Sequence, residues 1–215
     1  MQKTAILVGT SGLVGSQLLD LLLSENKYTK IYSLVRTKRN KDTLKLTELE
    51  VDFDQLDQTE FTWKVDDIYC CLGTTIKKAG SQENFIKVDL EYVIASAKLA
   101  QKNGATRMMV ISSVGADPNS RVFYSKVKGE MEQALAALNI ESLFIFRPSM
   151  LGGHREEFRL GEKIGSLLLK LFGWMMVGKA KRYRMISDKK VAKAMLSAAT
   201  DNRTGVQIIE SEELH

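Results

Sequence analysis

The 215-residue chain is long enough to bury one sizeable core, and a single domain is expected. Its 44% hydrophobic content argues against disorder and against an integral membrane protein, and a net charge of +5 says little by itself. The two cysteines, Cys70 and Cys71, are neighbours, so they form no disulfide framework, offer no metal-ligand spacing and suit a reducing compartment.

TAILVG (4–9) is a continuous apolar run closed by glycine, the pattern of a strand buried on both faces. Apolar residues recur at helical spacing from Leu13 to Leu23. KIYSLVR (30–36) reads as a second strand, LKLTELEVDF (44–53) contains a third, and DDIYCCLG (66–73) is a fourth. Residues 83–102 predict an amphipathic helix closed by Asn103 and Gly104. RMMVISS (107–113) is a fifth strand, residues 122–138 are helical, and ESLFIFRP (141–148) is a sixth strand stopped by Pro148. One or two helices over 160–177, a helix over 188–200 and a short strand at VQIIE (206–210) complete the reading.

Strands alternating with helices imply right-handed crossovers and an α/β, doubly wound parallel sheet of Rossmann type. Residues 149–200 are expected to form a substrate-side lid region on it. Ligands of such sheets sit beyond the carboxyl ends of the strands, where Gly9, Gly73, Ser113 and Pro148 fall.

GTSGLVG (9–15) follows a buried strand and opens a helix, the setting a dinucleotide-binding loop requires. Gly9 makes the sharp turn, Gly12 admits the pyrophosphate, and Gly15 lets the helix pack on the strand. The helix N-terminus offers free N–H groups and partial positive charge to the phosphates. The spacing is GxxGxxG rather than GxGxxG, and a plain tight turn is the other reading. An acid ending the second strand would bind the ribose 2′-OH of NAD, but this strand ends in Arg36. A guanidinium can grip a phosphate with two hydrogen bonds, which favours NADP over NAD; a solvated strand-end arginine is the alternative.

Tyr124 and Lys128 are four residues apart and share one helical face. A phenol is a poor acid–base group at neutral pH, and a nearby ammonium stabilises its anion. Such a pair can exchange a proton with a carbonyl or hydroxyl oxygen while hydride moves to or from a nicotinamide. A strand-end hydroxyl, Ser113 or Ser112, can hold the same oxygen. A surface tyrosine beside a solvated lysine is the competing reading, and Lys126, at i+2, points elsewhere.

These pieces together resemble the short-chain dehydrogenase/reductase superfamily, in particular its atypical branch related to the Tat-interacting protein. The resemblance is carried by GTSGLVG, VDFDQLD (51–57), CCLGTTIKKAG (70–80), KVDLEYV (87–93), ISSVGADPNS (111–120), YSKVKGEME (124–132) and FRPSMLGG (146–153). It implies that Gly9, Thr10, Ser11, Gly12, Leu13, Val14 and Gly15 hold the pyrophosphate and Arg36 meets the adenosine 2′-phosphate. Asp52 and Phe53 would lie near adenine, and Leu72, Gly73 and Thr74 would line the cofactor ribose. Ser113, Tyr124 and Lys128 would form the catalytic set, with Tyr124, Lys128, Ser112 and Pro148 also counted among the cofactor contacts. The fourth strand ends in CLGTT where better-known members have NAG, so ribose contacts there can differ.

The expected function is therefore an NADP-dependent oxidoreductase acting on a small carbonyl or alcohol. The alternative is an NADPH-binding regulatory or protein-interaction module with little or no turnover. The basic tracts at 36–45 and 179–193 read as solvated faces, and no nucleic-acid partner is expected. No signal peptide and no membrane span is read, so a cytoplasmic monomer or homodimer is expected. LLLKLFGWMMVG (167–178) reads as a lid, with a dimer contact or a membrane surface as alternatives.

Overall fold

The computed structural model describes residues 2–152 and 184–214. Seven strands form one sheet: β1 (Lys3–Val8), β2 (Tyr28–Val35), β3 (Leu46–Glu50), β4 (Asp67–Cys70), β5 (Arg107–Ile111), β6 (Ser142–Arg147) and β9 (Gly205–Glu210). A separate two-residue pair, β7 (Leu151–Gly152) with β8 (Ile186–Ser187), lies just past β6. The order in the large sheet is β3-β2-β1-β4-β5-β6-β9, and every adjacent pair is parallel. This is the doubly wound sheet that the alternating pattern predicts, and its order reverses between β1 and β4.

Side chains alternate across each strand, so both faces of a parallel sheet must be covered. Ala5 and Leu7 of β1 face the helices α1 (Leu13–Ser24) and α6 (Asp188–Ala198), sharing a cluster with Leu18, Leu22, Val191, Ala192 and Met195. Ile6 and Val8 face α4 (Tyr92–Lys102) and α5 (Phe123–Ala136), packing with Val93, Ala97, Met131 and Leu135. Each fully buried Leu, Ile, Val or Met among these contributes about 1.5–3 kcal/mol. Cys70 and Cys71 fall on opposite faces, as consecutive strand residues must, and both thiols are free. Burial pushes the Cys70 thiol up to about 11 and that of Cys71 well above its ordinary value, which keeps both protonated at neutral pH.

The structure differs from the sequence reading in two places. The helix predicted over 83–102 is three segments: α3 (Gln82–Ile86), a π turn (Lys87–Glu91) and α4, preceded by a short α2 (Ile76–Ala79). Residues 188–198, predicted as a helix inside the 149–200 lid region, form α6, whose Val191, Ala192 and Met195 are fully buried in the sheet's core cluster. The short strand predicted at 206–210 is β9, which extends the main sheet parallel to β6. The helices predicted over 160–177, the stretch 167–178 and residues 179–183 of the basic tract lie outside the described residues. Among the described residues, no helix is long and apolar enough to cross a membrane, and no cluster of side chains is arranged to hold a metal ion.

Candidate active site

A cleft of about 470 Å³ opens at the carboxyl ends of β1, β4, β5 and β6, where the strand order reverses. Four strand-end segments line it: Gly12 to Val14, Cys71 to Thr74, Ile111 to Val114 and Pro148 to Leu151. Asp89, Tyr124 and Lys128 close its remaining side.

The glycine loop is built by backbone proximity. Gly9 has φ +87°, and a Cβ there would lie 2.5 Å from the Cys71 carbonyl oxygen. A Cβ on Gly15 would lie 2.1 Å from the Gly9 carbonyl oxygen, so α1 can approach the turn only as glycine. Gly12 caps α1 without any side-chain hydrogen bond over the first-turn amides. Those amides, beside Gly12 and Leu13 in the cleft wall, suit a phosphate. The residues present thus fit a dinucleotide: a helix N-terminus without a side-chain cap at one end and the Gly73 backbone, lining the cleft, at the other.

Tyr124 and Lys128 both lie on α5 and both line the cleft, while Lys126 is exposed. The Tyr124 ring leans on buried Phe85 of α3, with centroids 5.5 Å apart. Ser113 lines the cleft, and its hydroxyl makes one long hydrogen bond, 3.3 Å, to the Val114 carbonyl. Ser112 also borders the cleft, but its hydroxyl donates to the Glu132 carboxylate and is committed to holding α5 on β5. Lys128 is 2% exposed, with its Nζ 2.8 Å from Asp89 Oδ1. Burial pulls the Lys128 ammonium down, but the Asp89 carboxylate and the Tyr124 phenol more than offset it, so its net shift is upward.

Other predicted residues lie around this cleft without lining it. Thr10 is buried, with its hydroxyl 3.0 Å from Ser33 Oγ, and Ser11 is exposed at the loop tip. Arg36 is exposed just past the end of β2. Asp52 spends both carboxylate oxygens locally, accepting from the Asp54 amide and from Gln55 Nε2, each at 3.0 Å. The Phe53 ring is buried and packs against Tyr92.

Two residues escape the sequence reading. Asp89 sits in the π turn, 1% exposed, where its Oδ2 accepts the Thr74 amide at 2.8 Å. Phe85, Asp89 and Val93 are all buried and four apart, so an acid on an apolar face was the available signal. Arg39 folds back from the basic loop: its Nη2 donates to Thr10 Oγ1 at 2.9 Å, and its Nε to buried Glu48 at 3.2 Å. Glu48 lies at an inward position of LTELE in β3, and its carboxylate also accepts the Arg39 amide at 2.6 Å.

Comparison with known proteins finds a family and a fold. Residues 5–135 match the family model "NAD dependent epimerase/dehydratase family". The chain is 33% identical to Protein HTATIP2 of Rattus norvegicus, over 99% of this chain and 88% of that protein. It is 31% identical to Protein FMP52, mitochondrial, of Eremothecium gossypii, over 98% of this chain and 95% of that protein. Among solved structures, it resembles WbmH of Bordetella bronchiseptica in complex with NAD+, with a TM-score of 0.71 and 17% identity over 98% of this chain and 76% of that one. It also resembles a short chain dehydrogenase family protein of Francisella tularensis, with a TM-score of 0.67 and 15% identity over 99% of both chains. A parallel sheet in this order, a glycine loop at its switch point and the family match over most of the chain lead to one conclusion: the chain belongs to the NAD dependent epimerase/dehydratase family.

Proposed function

We propose that the protein is an NADP-dependent oxidoreductase of the short-chain type, acting on a small carbonyl or alcohol. The observation that carries this reading is the convergence of Ser113, Tyr124 and Lys128 on one cleft with the open N-terminus of α1. The bound dinucleotide supplies or takes up hydride. Tyr124 passes the proton to or from the substrate oxygen, and the Ser113 hydroxyl holds that oxygen in place. Lys128 is positive beside the phenol and donates to the ribose nearest the nicotinamide. Val114, Met150 and Leu151 give the described substrate side an apolar wall.

On the adenosine side, Gly12 to Val14 present their amides to the pyrophosphate, while Arg36 meets the 2′-phosphate. Arg39, anchored on Glu48 and Thr10, would add a second guanidinium on the adenosine side. Arg36→Asp is expected to weaken NADPH binding roughly 10–100-fold more than NADH binding, the worth of one charge-assisted hydrogen-bonding group. Fluorescence titration with both nucleotides checks this, and equal losses would remove Arg36 from the site.

A panel of small aldehydes and ketones, followed at the nicotinamide absorbance, tests the reaction. Tyr124→Phe is expected to bind NADPH as wild type does and to lose about 10²–10⁴-fold in kcat. Turnover undiminished in Tyr124→Phe would sink the assignment. Binding in both proteins with no turnover in either would favour a regulatory, cofactor-sensing module. A cytoplasmic monomer or homodimer with a small-molecule partner completes the proposal; two free cysteines suit a reducing compartment. The mitochondrial name of the Eremothecium relative makes cell fractionation the deciding measurement.

A further inference from the structure

The pairing of Asp89 with Lys128 is unusual in its dryness. Both side chains are at most 3% exposed, and they meet at 2.8 Å inside the cleft wall. The approach of Lys128 Nζ to Asp89 Oδ1 is that of an ion pair, at an angle that leaves Oδ1 without an aligned hydrogen bond. The second oxygen is committed, accepting the Thr74 amide at 2.8 Å. Asp89 therefore ties α5 to the loop after β4. The π turn makes this possible: the widened turn packs against α5 and carries Asp89 at its centre.

We infer that Asp89 is a positioning residue of this site: its buried carboxylate keeps the Lys128 ammonium charged and fixed while its other oxygen holds the loop after β4 in register with it. A lone ammonium at this depth would shed its proton rather than bear the cost of burial. The ionisable groups facing Lys128 are Asp89 from the π turn, Tyr124 from α5 and Cys70 from β4. Cys70 is held neutral by burial, and Tyr124 is a phenol, so Asp89 is the anion that offsets the burial. The same residue reaches the ribose side of the cleft, since a Cβ on Gly73 would lie 3.5 Å from Asp89 Oδ1. The link from this pair to cofactor affinity rests on the dinucleotide reading given above; the pair's effect on Lys128 does not.

Two measurements on the full chain separate these. The first follows the Lys128 side chain by NMR of ¹³Cε-lysine-labelled protein from about pH 6 to about pH 11, with Lys128→Met identifying the signal. In wild type the signal is expected to hold its charged position through the ordinary lysine range. In Asp89→Asn, which keeps an acceptor for the Thr74 amide, the midpoint is expected to fall by about two units or more. Asp89→Glu, which restores charge but not length, is expected to bring it back up. Equal midpoints in wild type and Asp89→Asn would overturn the inference. Should Asp89→Asn fold poorly, Asp89→Asn combined with Lys128→Met is expected to recover, since the fault then lies in the unpaired ammonium; a double variant no better than the single one would also overturn it.

The second measurement is NADPH affinity against pH. In Asp89→Asn it is expected to weaken as pH rises through the lowered Lys128 midpoint, while wild type stays level over that range. A level profile in Asp89→Asn, with a moved midpoint, would deny Asp89 its part in the cofactor site. If wild type bound no NADPH, the dinucleotide reading would fall, and the NMR midpoints would still decide what Asp89 does to Lys128.

Discussion

Gly129→Ala is expected to cost about 3 kcal/mol of stability, lowering the urea midpoint by about 1–1.5 M. Gly129 lies on α5 one residue after Lys128, where the loop between β5 and α5 crosses the helix. A Cβ there would sit 2.1 Å from the Pro118 nitrogen and 2.2 Å from the Asp117 carbonyl carbon. Both are backbone atoms, so no side chain can turn away to make room. The Asp117 amide also donates to the Ser125 carbonyl at 3.0 Å, which fixes the loop against the same helix. Relief requires the loop to lift from α5, and Ser113 stands at its start. A midpoint within about 0.3 M of wild type would show that the crossing is looser than described.

Glu132→Ala is the second large loss, expected at about 3 kcal/mol, because it takes a two-point partner from a half-buried guanidinium and the acceptor from the buried Ser112 hydroxyl. Glu132 on α5 takes Arg147 in a two-point grip, with Nε to Oε1 at 3.0 Å and Nη2 to Oε2 at 2.6 Å. Arg147, on β6, also donates to Glu210 of β9 at 2.9 Å, and Ser112 donates to Glu132 from the end of β5. Hydrogen bonding to Glu132, offset in part by burial, drives the Arg147 guanidinium further up, so it stays charged. By calorimetry the single variant is expected to melt roughly 10 °C lower. Glu132→Leu with Arg147→Met is expected to recover most of that, since two matched apolar groups need no partner. A double variant as unstable as the sum of the singles would mean that the two residues act separately.

Tyr124, Lys128 and Glu132 follow one another at four-residue intervals along α5, and the sequence makes that shared face plain. What it does not disclose is their division of labour. Glu132 meets a strand, and Ser112 turns to Glu132 rather than to the cleft. The strand runs and the glycine loop were legible because each leaves a local pattern: a buried parallel strand needs unbroken apolar residues, Gly9 turns with a positive φ, and Gly15 is required by the Gly9 carbonyl six residues back. Asp89 and Arg39 were not, because their partners are distant in sequence. Lys128 lies 39 positions from Asp89, and the basic loop reads as solvated until Glu48 is seen beneath it. The π turn was hidden for a related reason, since one wide turn barely disturbs the 3.6-residue period on either side. The place of β9 beside β6 likewise depends on a contact that no local pattern announces.

The packing of α6 on α1 has a consequence for biosynthesis. The helix that covers α1 is made from residues 188–198, some 160 positions after α1 leaves the ribosome. At about 5–20 residues per second, Leu18 and Leu22 wait roughly 10–30 s for their cover. Until then α1 has only the strands β1 and β2 to pack on, and the part of its apolar stripe that α6 covers stays open. Holdase chaperones that recognise such stripes would engage the first forty residues, and release would be timed by the arrival of α6 rather than by the closing of the cleft.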